Sequence, residues 1–98
     1  MKALSPQDVE TRLKKLPHWT TDGSVIKRSF LFGDFQEAFA FMTQVALLAE
    51  KQDHHPDWTN VYNRLEIKLW THDSQGITEK DFDLAHAISK IPTGATSQ

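Results

Sequence analysis

Residues 58–72 read WTNVYNRLEIKLWTH, and the second half of this stretch alternates apolar and polar side chains. The regularly spaced apolar residues are Leu65, Ile67 and Leu69. Successive side chains of a strand point to opposite faces, so this alternation predicts a strand with one buried face. Residues 63–64 separate it from a second extended segment at 58–62. The stretch therefore predicts an antiparallel hairpin.

A long amphipathic helix is predicted immediately before this hairpin. Asp34 can cap its first turn, and Glu37 completes a capping box. Pro56 disfavours helical dihedrals at the residue before it, so the helix is expected to end before that proline. The apolar residues at helical spacing, which we expect to form its buried stripe, are Phe35, Ala38, Phe39, Met42, Val45, Ala46 and Ala49.

Two further helices and a second hairpin complete the chain. A short helix is expected to begin after Ser5, and another after Thr78, with Asp81 closing its capping box. Residues 25–32 are rich in β-branched and aromatic side chains and predict a strand paired with residues 18–21. The order αββαββα predicts an α+β fold, with a four-stranded antiparallel sheet and three helices packed on one face.

Length and composition narrow the classes of function. A chain of 98 residues suffices for one domain. We expect that domain to cover residues 1–92, with a flexible tail at 93–98. Eleven basic and thirteen acidic side chains give a net charge of −2, which lacks the basic excess of a nucleic-acid-binding protein.

The chain also lacks the features of secreted and membrane proteins. It has no cysteine, which excludes disulfides, thiolate metal sites and a cysteine nucleophile. No apolar run approaches the roughly 20 residues that span a bilayer, and the beginning of the chain has no apolar signal segment. We therefore expect a cytoplasmic protein with no membrane contact.

Two adjacent histidines stand between the long helix and the second hairpin, in the stretch EKQDHHPDW at 50–58. A two-residue hairpin loop at 63–64 would carry His72 opposite His55, and a three-residue loop at 62–64 would carry it opposite His54. We therefore expect the three histidines to lie close together. Imidazoles titrate near neutral pH, so such a cluster can supply both a proton donor and a proton acceptor.

Each of these residues also has a simpler explanation. The HHP sequence can be a plain helix-to-strand connector, Trp58 a core residue and Asp81 a helix cap. Glu50 and His54 are four positions apart and can form an ordinary helical ion pair. Three histidines and a carboxylate can also bind a first-row metal. Against that, adjacent histidines on an extended backbone point to opposite faces, and neither H-x-H nor H-x3-H spacing is present.

Two runs of the sequence resemble the pterin-4a-carbinolamine dehydratase family. They are FAFMTQVALLAEKQDHHPDWTNVYNRLEI at 39–67 and THDSQGITEKDFDLA at 71–85. The similarity extends over nearly the whole chain and is weakest in residues 1–24 and in the tail. The positions that carry it are Glu50, His54, His55, Pro56, Trp58, Tyr62, His72 and Asp81.

The resemblance implies an enzyme that converts 4a-hydroxytetrahydrobiopterin to quinonoid dihydrobiopterin and water, as part of tetrahydrobiopterin recycling. It implies no metal and no organic cofactor. The catalytic residues would be His54, His55 and His72. We expect His55 and His72 to share the roles of general acid and general base, with His54 positioning or assisting.

The resemblance also implies which residues surround the pterin. Those expected to border it are Asp53, His54, His55, Pro56, Trp58, Trp70, Thr71, His72 and Asp73, with Glu50 and Asp81 in support. Trp70 stands where animal-type members of the family have a smaller residue. It would either stack on the ligand or cover the sheet.

Partners are implied as well. Family members assemble through the long helix, so we expect a homodimer or homotetramer, and an aromatic amino-acid hydroxylase is the expected pathway partner. The helix residues expected to make the contact are Phe41, Gln44, Leu47 and Leu48. Some members use this helix to stabilise the dimer of a homeodomain transcription factor, which gives the alternative function. A three-histidine metal site is the less favoured alternative.

Overall fold

The computed structural model describes residues 1–97. Its helices are α1 (Pro6–Leu13), α2 (Phe35–Gln52) and α3 (Glu79–Ser89). Its strands are β1 (Thr20–Thr21), β2 (Ile26–Leu31), β3 (Asp57–Val61), β4 (Arg64–Leu69) and β5 (Thr96–Ser97). A 3₁₀ turn, η1 (His72–Ser74), follows β4. Across the described residues, no helix is both long enough and apolar enough to cross a bilayer.

The sheet confirms the predicted α+β class and its antiparallel pairing. Its strand order is β1-β2-β4-β3, and β5 pairs with β2 beside β1. The fifth strand comes from the segment expected to be a flexible tail, where Thr96 pairs with Leu31 and Ser97 pairs with Phe30. Gln98, the last residue of that segment, lies outside the described residues.

One face of the sheet is buried beneath the helices. The strand residues on it, each at most 1% exposed, are Ile26, Phe30, Leu65, Ile67 and Leu69. They join side chains of all three helices in a single core. The alternation in β4 thus gives the predicted buried face, and burial of this apolar surface is the main term that stabilises the fold.

The buried stripe of α2 is rotated from the predicted one. Its fully buried residues are Ala38, Phe41, Val45 and Ala49, whereas Ala46 is exposed. Phe35 and Phe39, predicted to be buried, are 48% and 55% exposed. The reason is the position of Phe41, whose ring packs 4.8 Å from that of Phe30 and 5.3 Å from that of Phe32. This aromatic cluster fixes which side of α2 faces the sheet.

The register of the β3–β4 hairpin differs from both predicted alternatives. Its loop consists of Tyr62 and Asn63, because Val61 pairs with Arg64. Tyr62 adopts a left-handed conformation with φ of 53°. Asn63 is bonded to Phe32, both through its carbonyl at 2.8 Å and through its side-chain amide at 3.0 Å. The predicted pairing of His72 with His54 or His55 is therefore wrong, since the β3–β4 ladder ends at Asp57.

Candidate active site

The end of α2 sends the two adjacent histidines in different directions. The helix stops at Asp53, which is left-handed with φ of 53° and whose N–H donates to the carbonyls of Ala49 and Glu50. The chain then becomes extended towards Pro56 and β3. As a result His54 is buried, at 9% exposure, while His55 is exposed to solvent.

His54 forms a buried pair with Asp81. Its Nε2 lies 2.5 Å from Oδ1 of Asp81, a residue with 0% exposure in the first turn of α3. Oδ2 of Asp81 accepts hydrogen bonds from the hydroxyl of Thr71 and the backbone N–H of Thr78, both at 2.9 Å. A carboxylate that accepts all three bonds requires the hydrogen on Nε2 of His54. The Nδ1 atom of His54 is thus left free for other chemistry.

Two threonines complete this buried network. The hydroxyls of Thr71 and Thr78 lie 2.7 Å apart, and the Thr78 hydroxyl also accepts the N–H of Lys80 at 3.2 Å. Because the Thr71 hydroxyl donates to Asp81, the Thr78 hydroxyl must donate to Thr71. Asp81 therefore does more than cap α3, and the simpler explanation of this residue as a cap is incomplete. Sequence reasoning missed Thr78, whose only signal is its position as the N-cap.

His55 pairs with Glu50 instead. Its Nε2 lies 2.6 Å from Oε1 of Glu50, and the two side chains are 57% and 77% exposed. The simpler alternative of a helical ion pair between Glu50 and His54 is therefore wrong, because the ring of His54 is turned towards Asp81. An ion pair this exposed adds little stability, and its effect is to restrict the imidazole.

His72 lies beside Trp70 at the end of β4. The ring centroids are 4.8 Å apart and the ring planes are inclined by 50°. His72 begins η1 and is exposed, whereas Trp70 is half-buried. An open cavity of about 440 Å³ lies against both rings, and its lining is Ser24, Val25, Trp70, His72, Gln75 and Gly76. A larger cavity of about 580 Å³, at the tip of the β3–β4 hairpin, includes none of the predicted site residues.

The remaining predicted site residues differ in exposure. Asp53 and Asp73 are exposed, and Pro56 is half-buried. Trp58 is half-buried and packs against the core, in agreement with its simpler explanation. Within residues 1–97, no group of three or more histidine, aspartate or glutamate side chains is arranged to hold a metal ion. Each of these three histidines instead has a neighbouring side chain of its own.

This arrangement combines one imidazole on a buried carboxylate with two exposed imidazoles, each restricted by a neighbouring side chain. Imidazoles can act as proton donors and as proton acceptors, so such a set has the groups that general acid–base catalysis needs. Its members come from the end of α2, the end of β4 with η1, and the first turn of α3. These three segments carry five of the eight signature positions, namely Glu50, His54, His55, His72 and Asp81.

Comparisons with known proteins show the family to which this chain is similar. Residues 2–91 match the family model described as pterin 4 alpha carbinolamine dehydratase. A protein of Christiangramia forsetii, provisionally named as such a dehydratase, is 52% identical over 91 residues, covering 93% of this chain and 94% of its own. A similarly named protein of Burkholderia vietnamiensis is 49% identical over 90 residues, covering 90% of this chain and 88% of its own.

A solved structure is also similar. The crystal structure of a transcriptional coactivator/pterin dehydratase from Brucella melitensis superposes with a TM-score of 0.85 and 44% sequence identity. The match covers 90% of this chain and 96% of that one. The family model and these relatives span nearly the whole sequence. The chain therefore belongs to the pterin 4 alpha carbinolamine dehydratase family.

Proposed function

We propose that this protein dehydrates 4a-hydroxytetrahydrobiopterin to quinonoid dihydrobiopterin and water by histidine acid–base catalysis. Membership of the family supports the substrate class. The observation that carries the mechanism is the buried pair of His54 and Asp81, accompanied by two further histidines on neighbouring segments.

The reaction requires two proton transfers around one flat bicyclic ring. A general acid protonates the hydroxyl on C4a, and the C4a–O bond breaks as water leaves. The lone pair of N5 forms the new double bond to C4a, and a general base removes the N5 proton. One proton is delivered and one is taken, so no net proton, metal or redox partner is needed for the atoms to balance. The site must therefore present an acid and a base to the same ring.

We assign the general base to His54. Its Nε2 is committed to Asp81, so Nδ1 is the nitrogen that can accept the N5 proton. The adjacent carboxylate holds the ring in one tautomer and stabilises the imidazolium formed by proton transfer, as in catalytic triads. This assignment gives His54 a larger part than the assisting role inferred from the sequence.

We assign the general acid to His72. In the described part of the chain its ring makes no hydrogen bond or ion pair to a carboxylate, so its proton is available to a bound ligand. It also lies against the open cavity next to Trp70. His55, restrained by Glu50, would hydrogen-bond the substrate and hold the hydroxyl towards the acid.

The proposed activity is tested by following the decay of freshly generated 4a-hydroxytetrahydrobiopterin by ultraviolet absorbance, with a chelator present. We expect the protein to accelerate this decay. A decay rate equal to that of the uncatalysed reaction would contradict the proposed function. A loss of acceleration on adding chelator would instead favour the alternative metal site.

We also propose that the protein assembles as a homo-oligomer through α2. The rings of Phe35 and Phe39 make a tilted contact with centroids 5.8 Å apart, and Leu47 is 67% exposed. Of the helix residues expected to make this contact, Gln44 and Leu47 are exposed, Leu48 is half-buried, and Phe41 is buried in the core. Phe41 is therefore not among the residues that we propose for the contact. Exposed apolar side chains along one helix are typical of an interface between subunits.

Sedimentation of the wild type and of Phe39→Glu tests this assembly. The wild type should be oligomeric and Phe39→Glu monomeric, while Lys80→Glu, a change at an exposed position of α3, should leave the mass unchanged. A monomeric wild type at all concentrations would contradict the proposal.

A role as a transcription-factor cofactor would use the same helix face, so Phe39→Glu would impair that role, whereas replacement of His72 would impair only catalysis.

A further inference from the structure

We propose that Trp70 is a positioning residue for His72: its indole holds the imidazole in the orientation that proton transfer requires. The sequence left two other roles open for Trp70, a wall on which the ligand stacks or a cover for the sheet. The inference rests on the proposed function, because it assigns His72 the role of general acid.

The backbone around the two rings is fixed at several points. Leu69, the last residue of β4, is fully buried and pairs with Ile26. The N–H of Thr71 donates to the carbonyl of Gly76 at 2.9 Å, which closes the turn that contains η1. The N–H of Gln75 donates to the carbonyl of His72 at 3.0 Å. His72 therefore begins a turn with little backbone freedom.

Side-chain alternation places the two rings together. Thr71 is extended, with φ of −108° and ψ of 109°, and its hydroxyl donates to the buried Asp81. Neighbours of an extended residue point to the opposite side of the chain. Trp70 and His72 accordingly share the outer side, where their centroids are 4.8 Å apart. The bond from Thr71 to Asp81 thus fixes the side on which Trp70 meets His72.

Each of the three histidines has one partner that restricts its ring. Asp81 restricts His54 and Glu50 restricts His55, in both cases through Nε2. Among residues 1–97, the imidazole of His72 makes no hydrogen bond, and the ring of Trp70 packs against it. Tilted aromatic pairs with centroids roughly 4.5–7 Å apart attract one another. The indole of Trp70 therefore restricts the ring of His72, as a carboxylate restricts the ring of each of the other two histidines.

A double-mutant cycle separates positioning from ligand stacking. Trp70→Leu removes the aromatic ring but keeps apolar bulk over the sheet, and Trp70→Phe keeps a ring. We expect Trp70→Leu to lower kcat by about 3–10-fold with KM changed by less than about twofold, because a catalytic group is misplaced while binding persists. Trp70→Phe should retain most of the activity.

The decisive comparison is made in the His72→Ala background. Residues that act through one another are not additive, so Trp70→Leu should then cause no further loss. If Trp70 were instead a wall on which the ligand stacks, Trp70→Leu would raise KM. It would also lower the activity further in the His72→Ala background. Either of those results would overturn the proposal.

Ring signals in NMR spectra test the contact without activity. The indole ring current should shift the ring protons of His72, and Trp70→Leu should remove that shift while Trp70→Phe keeps part of it. The rings of His18, in the turn before β1, and of His86, on α3, serve as internal controls. Unchanged His72 signals in Trp70→Leu would overturn the inference. A wild type without dehydratase activity would refute the proposed function, and the spectra would still decide whether Trp70 orients His72.

Discussion

Nε2 of His54 lies 2.5 Å from Oδ1 of Asp81, although 27 positions separate these residues in the sequence. The left-handed end of α2 turns His54 inwards, and the first turn of α3 brings the carboxylate to meet it. Local residues determine where α2 ends and where α3 begins. The sheet sets the distance between these two helix ends. The contact between His54 and Asp81 therefore depends on the fold, and the behaviour of variants can be predicted from it.

Asp81→Asn should damage both catalysis and stability. The amide has the shape of the carboxylate but cannot accept all three hydrogen bonds, since its NH₂ group must face a donor. We expect the rate of dehydration to fall by about 10²–10³-fold, because His54 loses its fixed tautomer. The free energy of unfolding, measured in urea, should fall by about 1–3 kcal/mol. Asp83→Asn, an exposed change in the same helix, is the matched control. Equal effects of the two changes would refute the role given to Asp81.

Glu50→Gln should affect catalysis without affecting stability. The contact between Glu50 and His55 has a geometry similar to that between Asp81 and His54, but the side chains of Glu50 and His55 are both largely exposed. The free energy of unfolding should change by less than about 0.5 kcal/mol. The rate should fall by about 3–10-fold, because His55 is less restricted. A stability loss as large as that of Asp81→Asn would show that burial does not distinguish the two pairs.

The turn before β2 should lose stability in acid. Hydrogen bonds from the N–H and hydroxyl of Ser24, and then from the N–H of Val25, lower the pKa of Asp22 from 3.8 to about 2. A lowered pKa in the folded state means that Asp22 stabilises the fold above pH 3.8 and loses this contribution as the pH falls towards 2. Asp22→Asn cannot titrate, so the variant should show a smaller decline in stability over this range. NMR titration of the Asp22 carboxyl gives its pKa directly, and an ordinary value would contradict the prediction.

His18→Gly should stabilise the protein. His18 is exposed and has φ of 76°, a conformation that is strained for a residue with a side chain and easy for glycine. Relief of this strain should raise the free energy of unfolding by about 0.5–1 kcal/mol, seen as an increase in Tm. Lys14→Gly is the matched control, because Lys14 has φ of −60° and the same change there should destabilise. A lower Tm for His18→Gly would rule out strain at this position.

The sequence predicted the features of the fold that depend on local chemistry. The capping box of Thr78 and Asp81 is present, and the alternation of Leu65, Ile67 and Leu69 gives the buried face of the sheet. These succeeded because caps and alternation involve residues only a few positions apart.

The features that depend on distant contacts were not predicted correctly. Tyr62 occupies a left-handed position that sequence rules reserve mainly for glycine and asparagine, and the contact between Asn63 and Phe32 sets the loop. In α2, the apolar spacing allowed Phe35 and Phe39 to be buried, but the packing of Phe41 on the sheet excludes them. Spacing alone cannot choose between two overlapping stripes of one helix.

The histidines of the candidate site were predicted from the sequence, and Glu50, Asp81 and Trp70 were expected near them, but which residue pairs with which histidine was not predicted. The pairing of Asp81 with His54, of Glu50 with His55 and of Trp70 with His72 required the fold. Helical spacing alone suggested that Glu50 would meet His54. The left-handed residue Asp53 changes the direction of the chain at that point and prevents it.

The most direct test is the rate of dehydration of 4a-hydroxytetrahydrobiopterin by the wild type, His54→Ala and His86→Ala at the same pH. His54→Ala should be slower than the wild type by about 10²–10⁴-fold, because the base that takes the N5 proton is lost. His86→Ala, an exposed histidine on α3, should match the wild type. A His54→Ala rate within about tenfold of the wild type would contradict the account.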